Sequence, residues 1–481
     1  MLTALRHNRD HLGGAVAVRT GTPAGWQETS WTELYDATLA AAASAGELLP
    51  AGGTAVVIID GTADSIATVL GLVATGVDVL LLEEKTSYLS DPGSPVHTVG
   101  AAVVVGPDGA RPEERAADGP TYRTYQQFRA TPTGEPVEPA REAEILQLTS
   151  GSTGEPRIAR VPVRVVLHGA RSYQQVFGLG GFDVVLATVP LAHSFGFIGG
   201  MATALVCGAE LRTLTRFNLR HVLNALGEAT MVLGTPLVYQ LLVPILRARR
   251  GTTAPRVLLS SGGPMAPELA EQVHDALGYP VRQIYGSTET GLIACHPSSM
   301  DTWPAGSAGL LAPGVEFRVV AGDRLQVRSP AVFAGYRTGE RAPIDADGFY
   351  DTGDLVRVDD DGFLFLTGRK ETFINVGGRK VNPKRVERIL SGHSGVREAF
   401  VFGAATATSG AEQQVHAAVV LSEDTQVADV LAFCRAQQLQ PYEVPHHVHP
   451  MSALPRTGMG KVDRRQIVAD ATATLGEESH G

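Results

Sequence analysis

The stretch 54-TAVVIIDGTADSIATVLGLVATGVDVLLLEE-84 is the most apolar part of the sequence, and its pattern decides the fold class. It divides into TAVVIID, DSIATVLGLVATG and DVLLLEE, which predicts a strand, a helix and a second strand. Continuous apolar strands, rather than alternating ones, are typical of a parallel sheet that helices cover on both faces. Asp60, Asp64 and Asp78 interrupt the stretch, so no membrane span is expected here, since one needs about 20 mostly uncharged residues.

The same alternation continues along the chain. The segment 107–142, rich in Pro, Gly, Arg and Glu, predicts an exposed loop within this pattern. The sequence therefore predicts an α/β fold whose large N-terminal domain consists of parallel-type sheets covered by helices. Further strands are expected in the β-branched runs at 101–106, 183–190, 230–236, 256–262 and 281–286.

The pattern changes after about residue 305. Short strands separated by Gly and Asp predict a β-rich subdomain at about 305–368, with DG pairs at 347–348 and 361–362 as turn signals. A charged helix candidate, PKRVERILSG, then leads a final α+β stretch. We therefore expect an N-terminal domain over residues 1–370 and a small, mobile C-terminal α+β domain over residues 371–481.

The composition limits the classes of partner. The 481 residues include 40 Lys and Arg against 50 Asp and Glu, a formal net charge of −10 at pH 7. Proteins that bind nucleic acid usually carry a basic surplus or stripe, so no nucleic-acid partner is expected. The cysteines are dispersed without a CxxC pair, and the charged N-terminus lacks an apolar core. These features predict neither a zinc site nor a secretory signal, and they favour the cytoplasm.

Residues 148-LTSGSTGEPR-157 combine small hydroxyl residues with glycines, which can wrap a phosphate chain with hydroxyl and backbone N–H groups. A P-loop requires Lys and then Ser or Thr directly after its second glycine, but Gly154 is followed by Glu155. The only Gly-Lys pair, at 460–461, is followed by Val462, and the serine-hydrolase pattern G-x-S-x-G is absent. Taken alone, the segment is either a phosphate loop of another kind or a flexible turn.

Four further motifs follow along the chain: 285-YGSTETG-291, 350-YDTGDL-355, 368-GRKETFINVGGRK-380 and 455-PRTGMGKVDR-464. The series resembles the adenylate-forming (ANL) superfamily of acyl- and aryl-CoA synthetases, nonribosomal peptide synthetase adenylation domains and luciferases. The resemblance covers about residues 30–465. It implies that ATP and a carboxylic acid form an acyl-adenylate with release of magnesium pyrophosphate. The acyl group would then pass to a thiol, with release of AMP.

The resemblance implies a set of residues that binds phosphate and metal. Thr288 would contact the α-phosphate, and Glu289 would bind Mg²⁺, because a hard cation prefers carboxylate oxygen. Many members of the family have Lys where this chain has Arg157, and the two side chains meet phosphate with different geometry. The β- and γ-phosphates would be held by the loop residues Thr149, Ser150, Gly151, Ser152, Thr153 and Gly154.

The nucleoside would lie between further motifs of the series. Tyr285 would stack on the adenine, and Asp354 would accept hydrogen bonds from the two ribose hydroxyls. Arg369 would lie close by and contact ribose or phosphate. Glycines allow close approach of the backbone to the other side of the adenine. That wall would be formed by Gly262, Gly263 and Pro264.

Lys461, on the Gly-rich segment PRTGMGK, is the catalytic residue that the resemblance implies. Its cation would reach both the carboxylate and the α-phosphate and stabilise the crowded transition state. The family changes between its two half-reactions by rotating the small domain about a hinge, here Glu371. Gly377 and Gly378 would border the tunnel for the incoming pantetheine thiol.

His193, in 190-PLAHSFGF-197, would lie at the mouth of the acid pocket according to the resemblance. Members that activate amino acids generally carry an Asp near this place, but no acidic residue occurs between Pro190 and Met201. An aryl or aliphatic carboxylic acid is therefore favoured over an α-amino acid. Other residues that would line the pocket are Gly199, Gly200, Thr235, Leu237 and Gly286.

Two acceptors fit the second step, because CoA and the phosphopantetheine of a carrier protein present the same thiol arm. The basic segment 379-RKVNPKRVER-388 would meet the phosphates of CoA or an acidic carrier protein, or it is a solvated helix face. Two alternatives are transfer to a non-thiol nucleophile and a non-catalytic homologue that binds nucleotide. The latter should have lost Lys461, Glu289 or Asp354, and all three are present.

Overall fold

The computed structural model divides the chain into two compact units. The larger unit comprises Met1–Arg318, Val327–Tyr350 and Val358–Phe365, and the smaller comprises Val319–Gln326, Asp351–Arg357 and Leu366–Gly481. The residues that the structure describes are 1–84, 98–108, 120–132, 134, 139, 141–150, 156–248, 255–263, 265–337, 341–369, 374–376, 379–406, 409–436, 439, 441–457 and 460–478.

The strand–helix–strand pattern of the apolar stretch is confirmed within a seven-stranded sheet. Thr54–Ile58 and Asp78–Leu82 pair in parallel and are buried along their whole length. Both faces of these strands are therefore covered, which is why their sequences are continuously apolar. In spatial order the strands are Gly335–Tyr336, Pro156–Pro162, Glu144–Ser150, Asp78–Leu82, Thr54–Ile58, Val103–Gly106 and Thr121–Thr124.

The helix of this pattern, Ala63–Ala74, begins where the Thr62 side chain accepts a hydrogen bond from the backbone of Ser65. It packs closely on the helix Trp31–Leu48. A Cβ atom at Gly71 would lie 2.7 Å from the Cβ of Ala41, so only glycine permits this approach.

Nine strands form the second sheet of the larger unit. Its centre is parallel and carries the strands predicted at 183–190, 230–236, 256–262 and 281–286. Their apolar side chains pack against the neighbouring helices in one core. In spatial order the strands are Leu310–Leu311, Gly291–Cys295, Val281–Ser287, Val257–Ser260, Met231–Gly234, Val184–Ala187, Glu210–Leu214, Val16–Thr22 and Gly25–Ser30.

Helices surround both sheets, as the sequence predicts. One segment, Phe195–Ala202, is a π-helix, which the sequence pattern does not predict. The α-helices described in the larger unit are Leu2–Leu12, Trp31–Leu48, Ala63–Ala74, Val163–Phe177, Thr203–Cys207, Leu219–Leu226, Pro236–Ala248 and Pro267–Leu277.

The β-rich region is confirmed, including both DG turns. Gly348 and Gly362 adopt φ values of +81° and +87°, and each donates a 3.1 Å hydrogen bond to the carbonyl of an aspartate three residues earlier. Positive φ is the conformation that glycine supplies at little cost. A four-stranded sheet here has the order Glu316–Val320, Arg324–Arg328, Tyr350–Val358 and Leu364–Arg369.

The C-terminal part of the chain has the predicted α+β composition. A hairpin of Ile374–Val376 and Arg379–Val381 precedes a sheet in the order Val396–Thr406, Ser409–Leu421 and His447–Pro450. Two apolar cores hold these elements together, one around Val386 and Val415 and the other around Phe402 and Ile467. The helices are Pro383–Ser391, Val427–Ala436 and Arg464–Glu478. The border that the sequence predicts after residue 370 stays a prediction.

The loop expected at 107–142 contains more structure than the sequence indicates. Thr121–Thr124 is a strand that pairs in parallel with Val103–Gly106. Tyr125 is 6% exposed and Phe128 is fully buried. The expectation of an exposed loop is therefore wrong for this part, because a short edge strand gains its stability from its neighbour rather than from its own sequence.

Among the helices that the structure describes, none has the length and apolar character needed to cross a membrane.

Acid should destabilise the smaller unit through a buried histidine. His416 is 2% exposed, and its Nδ1 lies 3.0 Å from Nε2 of His449. Burial, with a smaller contribution from His447, His449 and His446, lowers the pKa of His416 to about 4. The unfolded chain takes up this proton near pH 6.5, so folding stability is lost as the pH falls from about 6.5 to 4. The loss is at most about 3 kcal/mol.

Urea unfolding of the full chain at a series of pH values measures this effect. A His416→Phe variant should show a flatter pH dependence between pH 6.5 and 4 than the natural protein. His274→Gln, which removes an exposed histidine, serves as the control and should follow the natural protein. Equal slopes for His416→Phe and the natural protein would show that this histidine does not contribute.

Candidate active site

The predicted site residues of the larger unit gather at the carboxyl ends of parallel strands. Thr149 is the penultimate residue of the strand Glu144–Ser150, and His193 follows Val184–Ala187. Thr235 directly follows Met231–Gly234, and Gly262 follows Val257–Ser260. Ligands of open α/β sheets bind at this edge, so the fold brings residues from distant motifs to one place. The segment from Tyr285 to Glu289 lies at the end of a fifth strand, Val281–Ser287.

A chain of hydrogen bonds joins three of the motifs. The Gln147 amide donates from Nε2 to the carbonyl of Ala192 at 3.1 Å, which leaves its Oε1 as an acceptor. Ser194 donates to that oxygen at 2.5 Å, and Ser194 Oγ also lies 3.1 Å from Oγ1 of Thr288. Ser194 is the donor in both contacts, so the Thr288 hydroxyl accepts from Ser194 and keeps its own proton for a ligand. This fits a donor to a phosphate oxygen.

Glu289 is a buried carboxylate, 7% exposed. The Tyr336 hydroxyl donates to its Oε1 at 3.0 Å. No cationic side chain of the described residues forms an ion pair with it, and no second donor among them reaches it. Burying an unpaired carboxylate is costly, and a bound cation would remove that cost.

Mg²⁺ fits this arrangement. It is usually bound in proteins by one or two carboxylates together with phosphate oxygens and water, rather than by a complete protein cage. The described part of the chain contains no group of three or more His, Cys, Asp or Glu side chains placed to hold a metal ion. Glu289 is therefore suited to share a magnesium ion with a nucleotide.

Arg157 lies on the strand that follows the candidate phosphate segment. Its guanidinium carbon is 4.4 Å from the centre of the Tyr336 ring, a cation–π arrangement. Opposite it in the strand pair is Thr149, whose buried Oγ1 has no hydrogen-bond partner among the residues that the structure describes. An unpaired buried hydroxyl is available to a phosphate oxygen. Gly151, Ser152, Thr153 and Gly154 lie outside the described residues, as does the side chain of Ser150.

His193, predicted to lie at the mouth of the acid pocket, contacts a carboxylate. Its Nε2 lies 2.6 Å from Oε1 of Glu83, which directly follows the strand Asp78–Leu82. The two side chains are 37% and 31% exposed, so both remain accessible to a small molecule. The carboxylate accepts a hydrogen bond from Nε2 and fixes the orientation of the ring.

The other predicted pocket residues of the larger unit differ in their surroundings. A Cβ atom at Gly199 would lie 3.1 Å from the Tyr173 ring, so this glycine allows close packing of the π-helix. Gly200 and Thr235 are buried, Leu237 is half-buried and Gly286 is exposed.

The segments predicted to flank the adenine are described in part. Gly262 has a φ of +94°, which glycine adopts readily, and Gly263 is exposed with open space where a Cβ would lie. Tyr285 is half-buried on the strand Val281–Ser287. Pro264 lies outside the described residues.

In the smaller unit, Asp354 and Arg369 are brought together. Arg369 donates from Nε to Oδ1 of Asp354 at 2.5 Å. The aspartate is 6% exposed, whereas the arginine side chain is 59% exposed. The backbone N–H of Asp354 also donates to the Thr352 hydroxyl at 3.1 Å. The carboxylate is thus held in a fixed orientation, as two hydroxyls of a ribose would require.

Lys461 lies in a tight loop. The N–H of Thr457 donates to the carbonyl of Lys461 at 2.7 Å, and Arg456 pairs with Val462 across the loop. Gly460 has a φ of +73°, and the Lys461 side chain is exposed. The predicted hinge Glu371 and the tunnel residues Gly377 and Gly378 lie outside the described residues.

The basic segment 379–388 is partly neutralised within the smaller unit. Lys384 pairs with Glu387 at 2.6 Å, and Arg385 pairs with Glu443, which is distant in sequence. Arg388 is exposed. The charge available to a partner is therefore smaller than the sequence suggests.

Four residues near the predicted site were missed by the sequence analysis: Glu83, Gln147, Ser194 and Tyr336. Ser194 adjoins the predicted His193, and Gln147 lies two residues before Thr149, so their positions beside motifs are the available signal. A further signal for Gln147 is its place as a polar residue in an apolar strand, where a buried amide needs partners. No local pattern points to the roles of Glu83 and Tyr336.

Two family models match the chain. The model of the AMP-binding enzymes matches residues 6–337, and the model of the AMP-binding enzyme C-terminal domain matches residues 385–461. The chain belongs to the AMP-binding enzymes. The resemblance to the adenylate-forming superfamily is therefore confirmed.

Curated relatives among the AMP-binding enzymes include CoA ligases. The indoleacetate–CoA ligase of Aromatoleum aromaticum is 31% identical over 346 residues, covering 67% of this chain and 67% of the relative. The medium-chain fatty-acid–CoA ligase of Escherichia coli is 30% identical over 70% of this chain and 63% of the relative. The 4-coumarate–CoA ligase-like 2 of Arabidopsis thaliana is 27% identical over 69% of this chain and 62% of the relative. The chain thus spans about two thirds or less of the length of these relatives.

Solved structures of other proteins share the fold. ATP-bound MatB from Rhodopseudomonas palustris has a TM-score of 0.82 at 23% identity, covering 97% of this chain and 98% of that chain. The o-succinylbenzoate CoA synthetase from Bacillus subtilis, in complex with its acyl-adenylate intermediate, has a TM-score of 0.82 at 23% identity, covering 96% and 97%. The predicted fold class is confirmed by this likeness.

Proposed function

We propose that the chain is an AMP-forming acid–thiol ligase, which activates a carboxylic acid with ATP and transfers the acyl group to a thiol. The observation that carries this proposal is the hydrogen-bonded chain of Gln147, Ser194 and Thr288. Beside it lies the buried carboxylate of Glu289, which forms no ion pair with any cation of the described residues. Together they join a phosphate-type segment, an acid-pocket motif and a metal ligand. The names of the curated CoA ligases support the same reaction, and a cytoplasmic location is part of the proposal.

In this reaction the acid carboxylate attacks the α-phosphorus, and the bond to the bridging oxygen of pyrophosphate breaks. The Thr288 hydroxyl donates to the α-phosphate, and the segment from Thr149 to Gly154 holds the two leaving phosphates. Glu289 would hold Mg²⁺, which would neutralise part of the phosphate charge. Asp354 and Arg369 hold the ribose, and Lys461 stabilises the charge of the transition state. The adenine lies between Tyr285 and the wall of Gly262, Gly263 and Pro264.

The substrate that we propose is an aryl or aliphatic acid. No acidic residue occurs between Pro190 and Met201, but Glu83 supplies a carboxylate to His193 from another strand. The charges near His193 therefore do not separate α-amino acids from aryl or aliphatic acids. Indoleacetate, medium-chain fatty acids and 4-coumarate in the relatives' names favour the aryl or aliphatic acid.

CoA is the acceptor that the relatives' names favour, with a carrier-protein phosphopantetheine as the alternative. Glu371 as the hinge, and Gly377 and Gly378 beside the thiol tunnel, remain part of this proposal. The ion pairs of Lys384 and Arg385 reduce the charge that the helix Pro383–Ser391 offers to an acidic carrier. The exposed Arg388 stays available to a phosphate of CoA.

Incubation with ATP, Mg²⁺, CoA and a panel of acids, followed by mass spectrometry, tests the proposed function. We expect AMP and one acyl-CoA thioester in equal amounts. Formation of AMP without a thioester would point to another nucleophile, which a parallel reaction with a phosphopantetheine-loaded carrier protein would distinguish. ATP binding without AMP formation under any condition would contradict the proposal.

A substitution of Glu83 should affect the acid and not the nucleotide. In Glu83→Ala the His193 ring loses its 2.6 Å partner, and we expect the KM for the acid to rise about tenfold. Glu83→Gln keeps a hydrogen-bond acceptor at the same place and should have a smaller effect. Steady-state measurement of both KM values checks this. An equal rise in the KM for ATP would show that the pair does not belong to the acid pocket.

A further inference from the structure

Tyr336 reaches Glu289 from a separate part of the chain. It lies on the two-residue strand Gly335–Tyr336, which pairs antiparallel with Pro156–Pro162, the strand after the phosphate segment. The same segment also holds the backbone of Glu289, because the Phe333 N–H donates to the Glu289 carbonyl at 2.9 Å. Both the main chain and the carboxylate of Glu289 are thus attached to residues 333–336.

The ring of Tyr336 has little freedom to move. It is 6% exposed and contacts the Phe333 ring edge-on, with 4.8 Å between the centroids. Arg157 lies 4.4 Å from its centre. These contacts fix the ring plane and therefore the position of its hydroxyl.

The direction of the hydrogen bond to Glu289 is determined by its partners. An ionised carboxylate only accepts, so the Tyr336 hydroxyl donates to Oε1. The Tyr350 hydroxyl lies 3.4 Å away and supplies the donor that the Tyr336 oxygen can accept.

We propose that Tyr336 is a positioning residue, which occupies Oε1 of Glu289 and thereby directs Oε2 to the nucleotide-bound metal ion. This inference rests on the proposed function only in the identity of the metal site. A tyrosine that merely satisfied a buried polar group would affect stability but not metal affinity. Metal binding therefore separates the two roles.

The test measures Mn²⁺ binding in the presence of ATP by electron paramagnetic resonance, for the full chain and its variants. Tyr336→Phe should weaken Mn²⁺ binding about tenfold, because one hydrogen bond to a charged group is lost. Tyr350→Phe is the matched control, since it removes the hydroxyl 3.4 Å from that of Tyr336 but keeps the Tyr336 hydroxyl on Glu289, and it should change binding less than about twofold. In exchange assays, Tyr336→Phe should raise the Mg²⁺ concentration needed for half-maximal rate.

The outcomes separate the inference from the proposed function. Unchanged Mn²⁺ binding in a folded Tyr336→Phe protein, or equal losses in both tyrosine variants, would overturn the positioning role while leaving adenylation intact. Weaker binding in Tyr336→Phe alone would support it even if no acid is activated. If the natural protein binds no Mn²⁺ with ATP, whereas it binds ATP alone, the metal site and the inference both fail.

Discussion

Replacement of Lys461 by Met should abolish most acid activation while leaving ATP binding largely intact. The side chain lies exposed on a tight loop, and in the proposed reaction its cation contacts the attacking carboxylate and the α-phosphate. Loss of one such stabilising group costs about 10²–10³ in rate at comparable sites. We therefore expect pyrophosphate exchange to fall at least about a hundredfold, with the Kd for ATP changed less than about tenfold.

Two controls sharpen this prediction. Lys384→Met removes another exposed lysine of the same unit, whose ion pair with Glu387 contributes little to stability, and it should exchange at the natural rate. Transfer from a synthetic acyl-adenylate to CoA does not need the phosphate contact, so Lys461→Met should retain it within about tenfold. A variant that exchanges normally would remove Lys461 from the mechanism.

Replacement of Asp354 by Asn should weaken ATP binding through the ribose. The buried carboxylate is held by Arg369, and hydrogen bonds to a charged acceptor each contribute about 1.5–3 kcal/mol. We expect the KM for ATP to rise about tenfold to a hundredfold, with the KM for the acid unchanged. The natural protein should also prefer ATP to 2′,3′-dideoxy-ATP, and this preference should shrink in the variant.

Asp351→Asn is the matched control, because Asp351 lies on the same strand, Tyr350–Val358, but pairs with Arg324. It should preserve the preference for the ribose hydroxyls. Thermal unfolding of both variants distinguishes a local loss of binding from a loss of structure. If Asp354→Asn discriminates between the two nucleotides as well as the natural protein does, the carboxylate does not contact the ribose.

The strands of the large unit could be predicted because burial on both faces requires a continuous run of apolar residues in the sequence. Thr54–Ile58 and Asp78–Leu82 are buried throughout, so each is a run of apolar residues that needs no partner to be recognised. Thr121–Thr124 is mostly exposed or half-buried, and only its pairing with Val103–Gly106 makes it a strand. Such an element is determined by a distant neighbour, which a local pattern does not contain.

The candidate site also contains residues that the local sequence predicts and residues that only distant contacts bring to it. Its motif residues could be predicted because the chemistry requires hydroxyls, glycines and carboxylates in fixed local order. Glu83 meets His193 across 110 residues of sequence, and Tyr336 meets Glu289 across 47. Those contacts follow from the order of strands in the two sheets. For the basic segment 379–388 the sequence overestimates the charge available to a partner, because Arg385 pairs with Glu443, which lies 58 residues away.

Acid-dependent exchange of labelled pyrophosphate into ATP tests the central claim most directly. The panel should contain benzoic, cinnamic, arylacetic, short- and long-chain fatty acids and amino acids, each assayed with and without Mg²⁺. Adenylation predicts strong exchange with one class of acid, dependent on Mg²⁺ and lost in Lys461→Met. Measurable ATP binding without exchange for any acid would contradict adenylation and favour a nucleotide-binding homologue without catalysis.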